Sequence, residues 1–209
     1  MSQGTRISLG KALTLGKQLV AELEPSCEKI MIAGSVRREK ETIGDLEIVA
    51  MPRDHDAKDL FGDSVDTGRT YLDVVLDQLY EHRFIGWTLD KRKQGKKLKK
   101  LRHGTTGFHC DLFIVTEKRA WGSHIAVRTG PHPFSIHMMK RAKELKMFFA
   151  DGFLLHNHQS HGTANEKSYC RDGADCKLII PLPNEADVFE ALKINYMYPR
   201  DREERYGIG

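Results

Sequence analysis

The sequence AGSVRREKETIGDLEIVA, residues 33–50, places two carboxylates in a segment that otherwise has the character of a buried strand. Asp45 and Glu47 alternate with the apolar residues Leu46 and Ile48. Residues two apart in a strand point to the same face, so the two acids project together. Burying a charge without a partner is costly, and two nearby carboxylates repel each other. The segment therefore predicts a strand whose polar face holds a cation.

A third acid occupies a comparable position further along the chain. Asp111 lies near the start of the apolar segment HCDLFIV, which is also a predicted strand. Carboxylate oxygens are ligands that suit Mg²⁺ or Mn²⁺. Three acids on adjacent strands can hold two metal ions about 3.5–4 Å apart, the arrangement used for phosphoryl transfer. We therefore expect Asp45, Glu47 and Asp111 to bind two Mg²⁺ ions, with Mn²⁺ as an alternative.

The Gly34-Ser35 pair directly follows another predicted strand, KIMIA. A strand that turns through a glycine into a helix presents backbone N–H groups and a hydroxyl that bind phosphate oxygens. Arg37 and Arg38 add charge that can meet a triphosphate. Each feature alone is common in turns and on surfaces. Together with the spaced acids, they predict a nucleotide-binding enzyme.

Positive charge is concentrated in KRKQGKKLKKLR, residues 91–102, where eight of twelve residues are Lys or Arg and none is acidic. The whole chain has a formal net charge of only +4. Such a block favours contact with nucleic acid phosphates. A solvated hairpin or a localisation signal is the alternative interpretation.

The 209 residues contain no apolar run near the roughly 18 residues that a membrane span needs. No secretion signal is evident in the first twenty residues. We therefore expect no membrane association and a cytoplasmic location, in the host cell's cytoplasm if the chain is viral. A nuclear location is the alternative.

Two of the four cysteines, Cys170 and Cys176, flank the sequence RDGAD near His156, His158 and His161. Their spacing matches no standard zinc framework. A structural zinc site and a turn flanked by two thiols that could pair if oxidised both remain open.

Hydrophobic periodicity predicts an α+β fold. Predicted strands are KIMIA, GDLEIVAMP, RFIGWTL, HCDLFIV, GFLLH and KLIIP, with residues 53–66 as a loop. Predicted helices lie between Ser8 and Pro25, in TYLDVVLDQLY, near 118–127 and 132–146, and in NEADVFEALK. The remaining tail, YMYPRDREERYGIG, is polar.

The segment AGSVRREKETIGDLEIV resembles the catalytic motif of the family X DNA polymerases, the polymerase-beta-like nucleotidyltransferases. RISLGKALTLGKQLV resembles the helix before that motif, and CDLFIV resembles the strand with the third carboxylate. AWGSHIAVRTGPHPFSIHMMKRAKELKMFFADGFL resembles the region of the family's Thr-Gly turn, and NEADVFEALKINYMYPRDRE resembles its C-terminal thumb. The resemblance implies a nucleotidyltransferase palm with a mixed β-sheet and flanking helices over 1–127. It also implies a small thumb-like α+β domain over 128–209, without the family's N-terminal helix-hairpin-helix domain.

The resemblance also implies site residues and an activity. The implied ligands are Asp45, Glu47 and Asp111 for metal, Ser35 and Arg38 for the nucleotide's phosphates, with Gly34 shaping the turn, and Thr129 and Gly130 for its sugar. From the basic segment we expect Lys96, Lys97, Lys99 and Lys100 to bind the DNA backbone. The implied protein is a monomeric DNA polymerase that uses nucleoside triphosphates on primer-template or gapped DNA, in gap filling or DNA repair. The alternatives are a template-independent nucleotidyltransferase, acting on nucleic acid ends or another acceptor, and a DNA-binding module with a decayed active site.

The chain departs from the family pattern at several positions. Glu47 stands where the second acid is usually Asp, and Ser135 stands where Asn often meets the base. The aromatic pair that commonly precedes Thr-Gly is replaced by Val127 and Arg128. Because that aromatic pair helps relatives to exclude ribonucleotides, we expect weak discrimination between the two sugars.

Overall fold

The computed structural model describes residues 6–53, 68–88, 95–156 and 178–207. The chain divides into two compact units, one of Met1–Ile32 and Glu41–Ile114 and one of Ala33–Lys40 and Val115–Gly209. The strands are β1 (Ile7–Ser8), β2 (Cys27–Ile32), β3 (Thr42–Ile43), β4 (Leu46–Pro52), β5 (Ile85–Trp87), β6 (Leu98–His103), β7 (His109–Ile114), β8 (Met147–Ala150), β9 (Phe153–His156) and β10 (Ile179–Ile180). The helices are α1 (Leu9–Leu23), α2 (Gly34–Arg37), α3 (Tyr71–Glu81), α4 (Trp121–Thr129), α5 (His132–Glu144), α6 (Glu185–Ala191) and α7 (Pro199–Tyr206). Within the described ranges, no helix combines the length and apolar character needed to cross a bilayer.

The first unit is built on a five-stranded sheet with the order β2-β4-β7-β6-β5. β4 and β7 are parallel, and the other neighbouring strands are antiparallel. The sheet is therefore mixed, and β4 and β7 are both interior strands. This confirms the predicted α+β class with a mixed sheet and flanking helices.

One face of β4 packs against α1. Leu46 and Ile48 are fully buried. A Cβ atom added at Gly16 of α1 would lie 2.9 Å from Ile32 Cδ1 and 3.5 Å from Leu46 Cδ2, so the helix approaches the sheet closely. The alternating residues of β4, including Glu47, consequently point to the other face.

The second unit combines α2 and α4–α7 with a three-stranded antiparallel sheet in the order β10-β9-β8. Its core contains Phe134 and Met138 of α5, Leu154 of β9, and Val188 and Phe189 of α6. Phe134 and Met138 are four residues apart and therefore share one face of α5, and Leu154 lies in this core while its neighbour Leu155 packs in a separate cluster.

A fully buried arginine lies within this unit. Arg202 has no exposed surface, and its guanidinium carbon is 4.9 Å from the ring centroid of Phe134 and 5.0 Å from that of Phe189. Its Nη1 donates to Glu185 Oε1 at 2.9 Å. Arg37 donates to both oxygens of the same carboxylate, at 2.9 and 2.7 Å. One carboxylate therefore binds two guanidinium groups and balances the charge of one of them.

The C-terminal segment is more ordered than its polar composition indicates. Pro199–Tyr206 form α7, and Pro199 stands at the first helical position, where its missing N–H is not needed. Arg202 is the buried residue of this helix. Sequence periodicity does not reveal the inward face because the inward residue is itself charged.

The predicted boundary between residues 127 and 128 falls inside α4, which lies entirely in the second unit. Residues 33–40 also belong to the second unit, although they precede most of the first in sequence. The compact units therefore divide the chain at positions other than the ends of the predicted domains 1–127 and 128–209.

We expect Glu185→Gln to lower the free energy of unfolding at pH 7 by about 3 kcal/mol, because the buried guanidinium of Arg202 and the partly buried one of Arg37 then face a neutral amide. Glu190→Gln is the matched control, since Glu190 is exposed on the same helix. Urea denaturation of both variants and the wild type measures the difference. Equal losses in the two variants would contradict the role given to Glu185.

The loss should also depend on pH. Burial alone would raise the pKa of Glu185, but the hydrogen bond from Arg37 and the charge of Arg202 outweigh it and lower the pKa. A carboxylate with a lowered folded-state pKa contributes stability above its unfolded value, about 4.3, and loses it as the pH falls toward the folded value. The stability difference between wild type and Glu185→Gln should therefore shrink below about pH 4.3. A difference that stays constant from neutral to acid pH would show that the charge is not involved.

Candidate functional site

Two of the predicted acids lie side by side on neighbouring parallel strands. β4 and β7 pair in a register that sets Glu47 beside Asp111. Paired residues of adjacent strands point to the same face, so both carboxylates project from one face of the sheet. Their neighbours Leu46 and Leu112 are fully buried on the other face. Backbone pairing alone therefore brings these two acids together.

Asp45, the third acid, immediately precedes β4. Desolvation by surrounding protein atoms and the negative charge of Asp111 raise its pKa. The positive charges of Lys100, His109 and Arg6 offset only part of this effect. The raised pKa means that the ionised form of this carboxyl group is disfavoured, because the nearby positive charges do not compensate for desolvation and repulsion.

The thiol of Cys110 lies close to all three acids. Burial raises its pKa, and the negative charges of Asp111, Asp45 and Glu47 raise it further. All three carboxylates are therefore near enough to Cys110 to affect the pKa of its thiol.

Asp111 already has a cation beside it. Lys100 of β6 stands opposite Asp111 in the antiparallel β6–β7 pair. Its Nζ donates to both carboxylate oxygens, at 3.0 and 2.9 Å. Among the residues that the structure describes, no three His, Cys, Asp or Glu side chains are grouped so that they could hold a metal ion. The predicted ligands Asp45, Glu47 and Asp111 thus do not form such a group in these side-chain conformations, in which Asp111 binds an ammonium.

The donors on this face nevertheless suit a hard divalent cation. Carboxylate oxygens are the ligands that Mg²⁺ and Mn²⁺ prefer. Strand register makes Glu47 and Asp111 adjacent, and desolvation together with the negative charge of Asp111 raises the pKa of Asp45. The ammonium of Lys100 acts as a stand-in cation at Asp111. A metal ion that bound both Asp111 oxygens would have to displace it.

The Gly34-Ser35 turn belongs to the second unit and opens α2. Gly34 has a φ of 61°, a left-handed conformation that favours glycine. The backbone N–H groups of Arg37 and Arg38 donate to the carbonyls of Ala33 and Gly34, at 3.3 and 3.1 Å. The residues predicted to meet phosphate are therefore held in a tight turn, with Ser35 half-buried.

Both arginines of this segment bind the Thr129-Gly130 turn. Arg37 Nη1 donates to Thr129 Oγ1 at 2.7 Å, and Arg38 Nη1 donates to the Thr129 carbonyl oxygen. Thr129 is fully buried, and Gly130 ends α4 with a φ of 61°. The second unit thus brings together Arg38, Thr129 and Gly130, which the sequence predicted to contact one nucleotide.

Arg38 also binds a carboxylate that the sequence did not indicate. Its Nε donates to Glu203 Oε2 at 2.6 Å, and Lys40 Nζ lies 3.0 Å from Glu203 Oε1. Burial alone would raise the pKa of Glu203, but the hydrogen bonds and charges of Arg38 and Lys40 lower it. Glu203 is therefore an ionised group held between two cations.

Sequence reasoning missed Lys40, Glu185, Arg202 and Glu203, and it treated Arg37 only as additional charge near a triphosphate. These residues come from two segments separated by more than a hundred residues. Charged residues in a polar tail carry no pattern that names their partners. No sequence signal identifies these pairs.

Two of the positions where the sequence departs from the pattern of the resemblance, Val127 and Ser135, are connected by a hydrogen bond. Val127 is half-buried and packs against the core of the second unit. Ser135, which is buried, donates its hydroxyl to the Val127 carbonyl oxygen at 3.2 Å. In this structure the Ser135 hydroxyl therefore serves an internal contact.

The four predicted DNA-binding lysines separate into two groups. Lys96 and Lys97 are exposed and precede β6. Lys99 and Lys100 lie within β6 on opposite faces; Lys99 Nζ is 2.9 Å from Asp73 Oδ1, and Lys100 pairs with Asp111. Lys99 and Lys100 are therefore each paired with a carboxylate.

Several sequence interpretations fall outside the described residues. Cys170, Cys176, His158 and His161, considered for zinc, lie there, and of that group only His156 is described, in β9. Residues 54–66 of the predicted loop and residues 91–94 of the basic segment lie there as well.

Comparison of the chain with models of known protein families and with curated proteins found no match.

Proposed function

We propose that this chain is a nucleotidyltransferase of the family X DNA polymerase type, which extends a primer 3′ end by two-metal phosphoryl transfer. Its substrates would be nucleoside triphosphates and primer-template or gapped DNA. The observation that carries the proposal is the pairing of Glu47 with Asp111 on one face, next to Asp45, whose pKa is raised by burial and by the charge of Asp111. Such transfer uses carboxylates in this kind of arrangement. The first unit would then be the palm and the second a thumb-like unit.

Asp45, Glu47 and Asp111 would hold the Mg²⁺ ions. When bound, the ions supply Lewis-acid stabilisation of the primer's 3′ oxygen and of the leaving pyrophosphate. In the reaction, the 3′ hydroxyl would lose its proton to water, its oxygen would bond to the α-phosphorus, and the bond from that phosphorus to pyrophosphate would break. The sheet would fix the spacing of the carboxylates. Lys100 would give up its hydrogen bonds to Asp111 so that Asp111 can bind metal.

The two arginines would have different tasks. Arg38 would donate hydrogen bonds to phosphate oxygens, as guanidinium groups do at triphosphates, together with the Gly34-Ser35 turn. Arg37 already binds Glu185 and Thr129 through three hydrogen bonds. Arg37 would therefore be a positioning residue that holds the Thr129-Gly130 turn.

We expect Asp45→Asn to reduce primer extension about a thousandfold or more, since metal stabilisation of the transition state is worth several kcal/mol. The variant should unfold at the same temperature as the wild type or a higher one, because it removes a carboxylate whose raised pKa marks an unfavourable charge. Extension should be measured with and without a template strand, beside melting temperatures. Glu81→Gln, exposed in the same unit, is the control. Full extension by Asp45→Asn would overturn the proposed function.

The exposed lysines should contact the DNA backbone. We expect Lys96→Gln combined with Lys97→Gln to weaken binding equally for different DNA sequences. The slope of log affinity against log salt concentration should decrease by about 1.8, since each phosphate contact contributes about 0.9. Lys99→Gln should change this slope little, because Lys99 is paired with Asp73 and its side chain is only 16% exposed. If all variants bind like the wild type, the segment does not contact DNA.

Sugar selectivity should be weak. Val127 leaves more room than the aromatic residue of the family pattern, and a pocket that merely tolerates a hydroxyl discriminates by only about 10²-fold. We therefore expect kcat/KM for a matched ribonucleotide to lie within about two orders of magnitude of that for the deoxynucleotide on the same primer-template. A ratio of many thousands would show that the backbone or another residue excludes the 2′-hydroxyl.

A further inference from the structure

The pair formed by Arg38 and Lys40 already holds an anion. The Glu203 carboxylate lies between them, with one oxygen on Arg38 Nε at 2.6 Å and the other near Lys40 Nζ at 3.0 Å. The side chains of Arg38 and Glu203 are 11% and 17% exposed, and that of Lys40 is 32% exposed. The anion is therefore partly shielded from water, while Lys40 keeps a solvent-facing side.

The chemistry of this contact is the chemistry of phosphate recognition. A guanidinium and an ammonium donate charge-assisted hydrogen bonds to carboxylate and phosphate oxygens alike. A phosphate carries more negative charge and more acceptor oxygens than one carboxylate. Two cations that share Glu203 can therefore exchange it for a phosphate without losing hydrogen bonds.

The hydrogen bond from Arg38 to Thr129 determines which edge of the guanidinium can exchange Glu203 for a phosphate. Its Nη1 donates to the Thr129 carbonyl oxygen, so this part of the guanidinium is fixed on the turn. The Nε edge that faces Glu203 is the part that an incoming anion would take over. Glu203 lies on α7, and its own backbone carbonyl accepts from Gly207 N–H at 2.7 Å. The carboxylate can therefore leave by rotation of its side chain while the helix end stays in place.

We propose that Lys40 is a phosphate-binding residue beside Arg38, and that the Glu203 carboxylate occupies their shared site until a triphosphate replaces it. The identification of the triphosphate with a nucleotide rests on the proposed function. Glu203 lowers the apparent affinity for the anion, because a site that is open only part of the time binds in proportion to that fraction.

The test is calorimetric titration of the full-length protein with inorganic tripolyphosphate, without divalent metal. Glu203→Gln should bind it about five- to tenfold more tightly than the wild type, the effect of losing the two partly exposed ion pairs that Glu203 makes with Arg38 and Lys40. Lys40→Met should bind it more weakly by a similar factor. Glu204→Gln, on the same helix with a side chain 68% exposed, is the matched control and should bind like the wild type.

Unchanged or weaker binding by Glu203→Gln would overturn the inference if its melting temperature shows that it is folded. If Glu203→Gln does not fold, Lys40→Met decides, because this variant keeps the Arg38–Glu203 pair. Wild-type affinity in Lys40→Met would overturn the phosphate role of Lys40. Failure of the wild type to bind tripolyphosphate would overturn it as well.

Primer extension separates this inference from the proposed function. If the wild type extends primers but Glu203→Gln does not change the affinity for tripolyphosphate, only the inference is contradicted. If tripolyphosphate binding and the variant effects are as expected but the wild type extends no primer, only the proposed function is contradicted.

Discussion

Charge neutralisation across paired strands is the constraint on which the candidate chemistry depends. The parallel pairing of β4 with β7 places Glu47 beside Asp111. The antiparallel pairing of β7 with β6 places Lys100 on the other side of Asp111. These are consequences of backbone hydrogen bonding, so a register shift of one residue would send the carboxylates to the buried face. The apolar residues on that face, including the fully buried Leu112, make such a shift costly. Core packing therefore fixes the position of the polar groups as well.

In the second unit, carboxylates compensate an excess of positive charge. Here the charges in excess are guanidinium groups, and the carboxylates of Glu185 and Glu203 balance part of that charge. The Glu185 side chain is 9% exposed and binds two arginines, which suits a structural role. Glu203 is more accessible and binds a cation pair that has other possible partners. Removing one member of a buried, paired group costs far more than removing a member of an exposed pair.

Much of the architecture could be predicted because hydrophobic periodicity is local. The alternation in β4 and the helical spacing in α3 are complete within a few residues, and both elements lie where that spacing predicts. Long-range pairing could not be predicted in the same way. Nothing near Lys100 indicates that it faces Asp111, and the charged segment of α7 conceals that Arg202 turns inward. The three acids were predicted as a set of metal ligands, but the internal cation that pairs with Asp111 becomes evident only once strand register is known.

Residues 33–40 belong to the second unit, although first-unit residues precede and follow them. No single cut in the chain yields the second unit complete, so a fragment starting at Val115 would lack Arg37. During synthesis, Arg37 leaves the ribosome 148 residues before its partner Glu185. At about 5–20 residues per second, this interval lasts on the order of ten to thirty seconds. The segment around Arg37 must therefore stay in solution without its partner carboxylate during this interval. Its polar sequence, RREKET, is compatible with exposure to water.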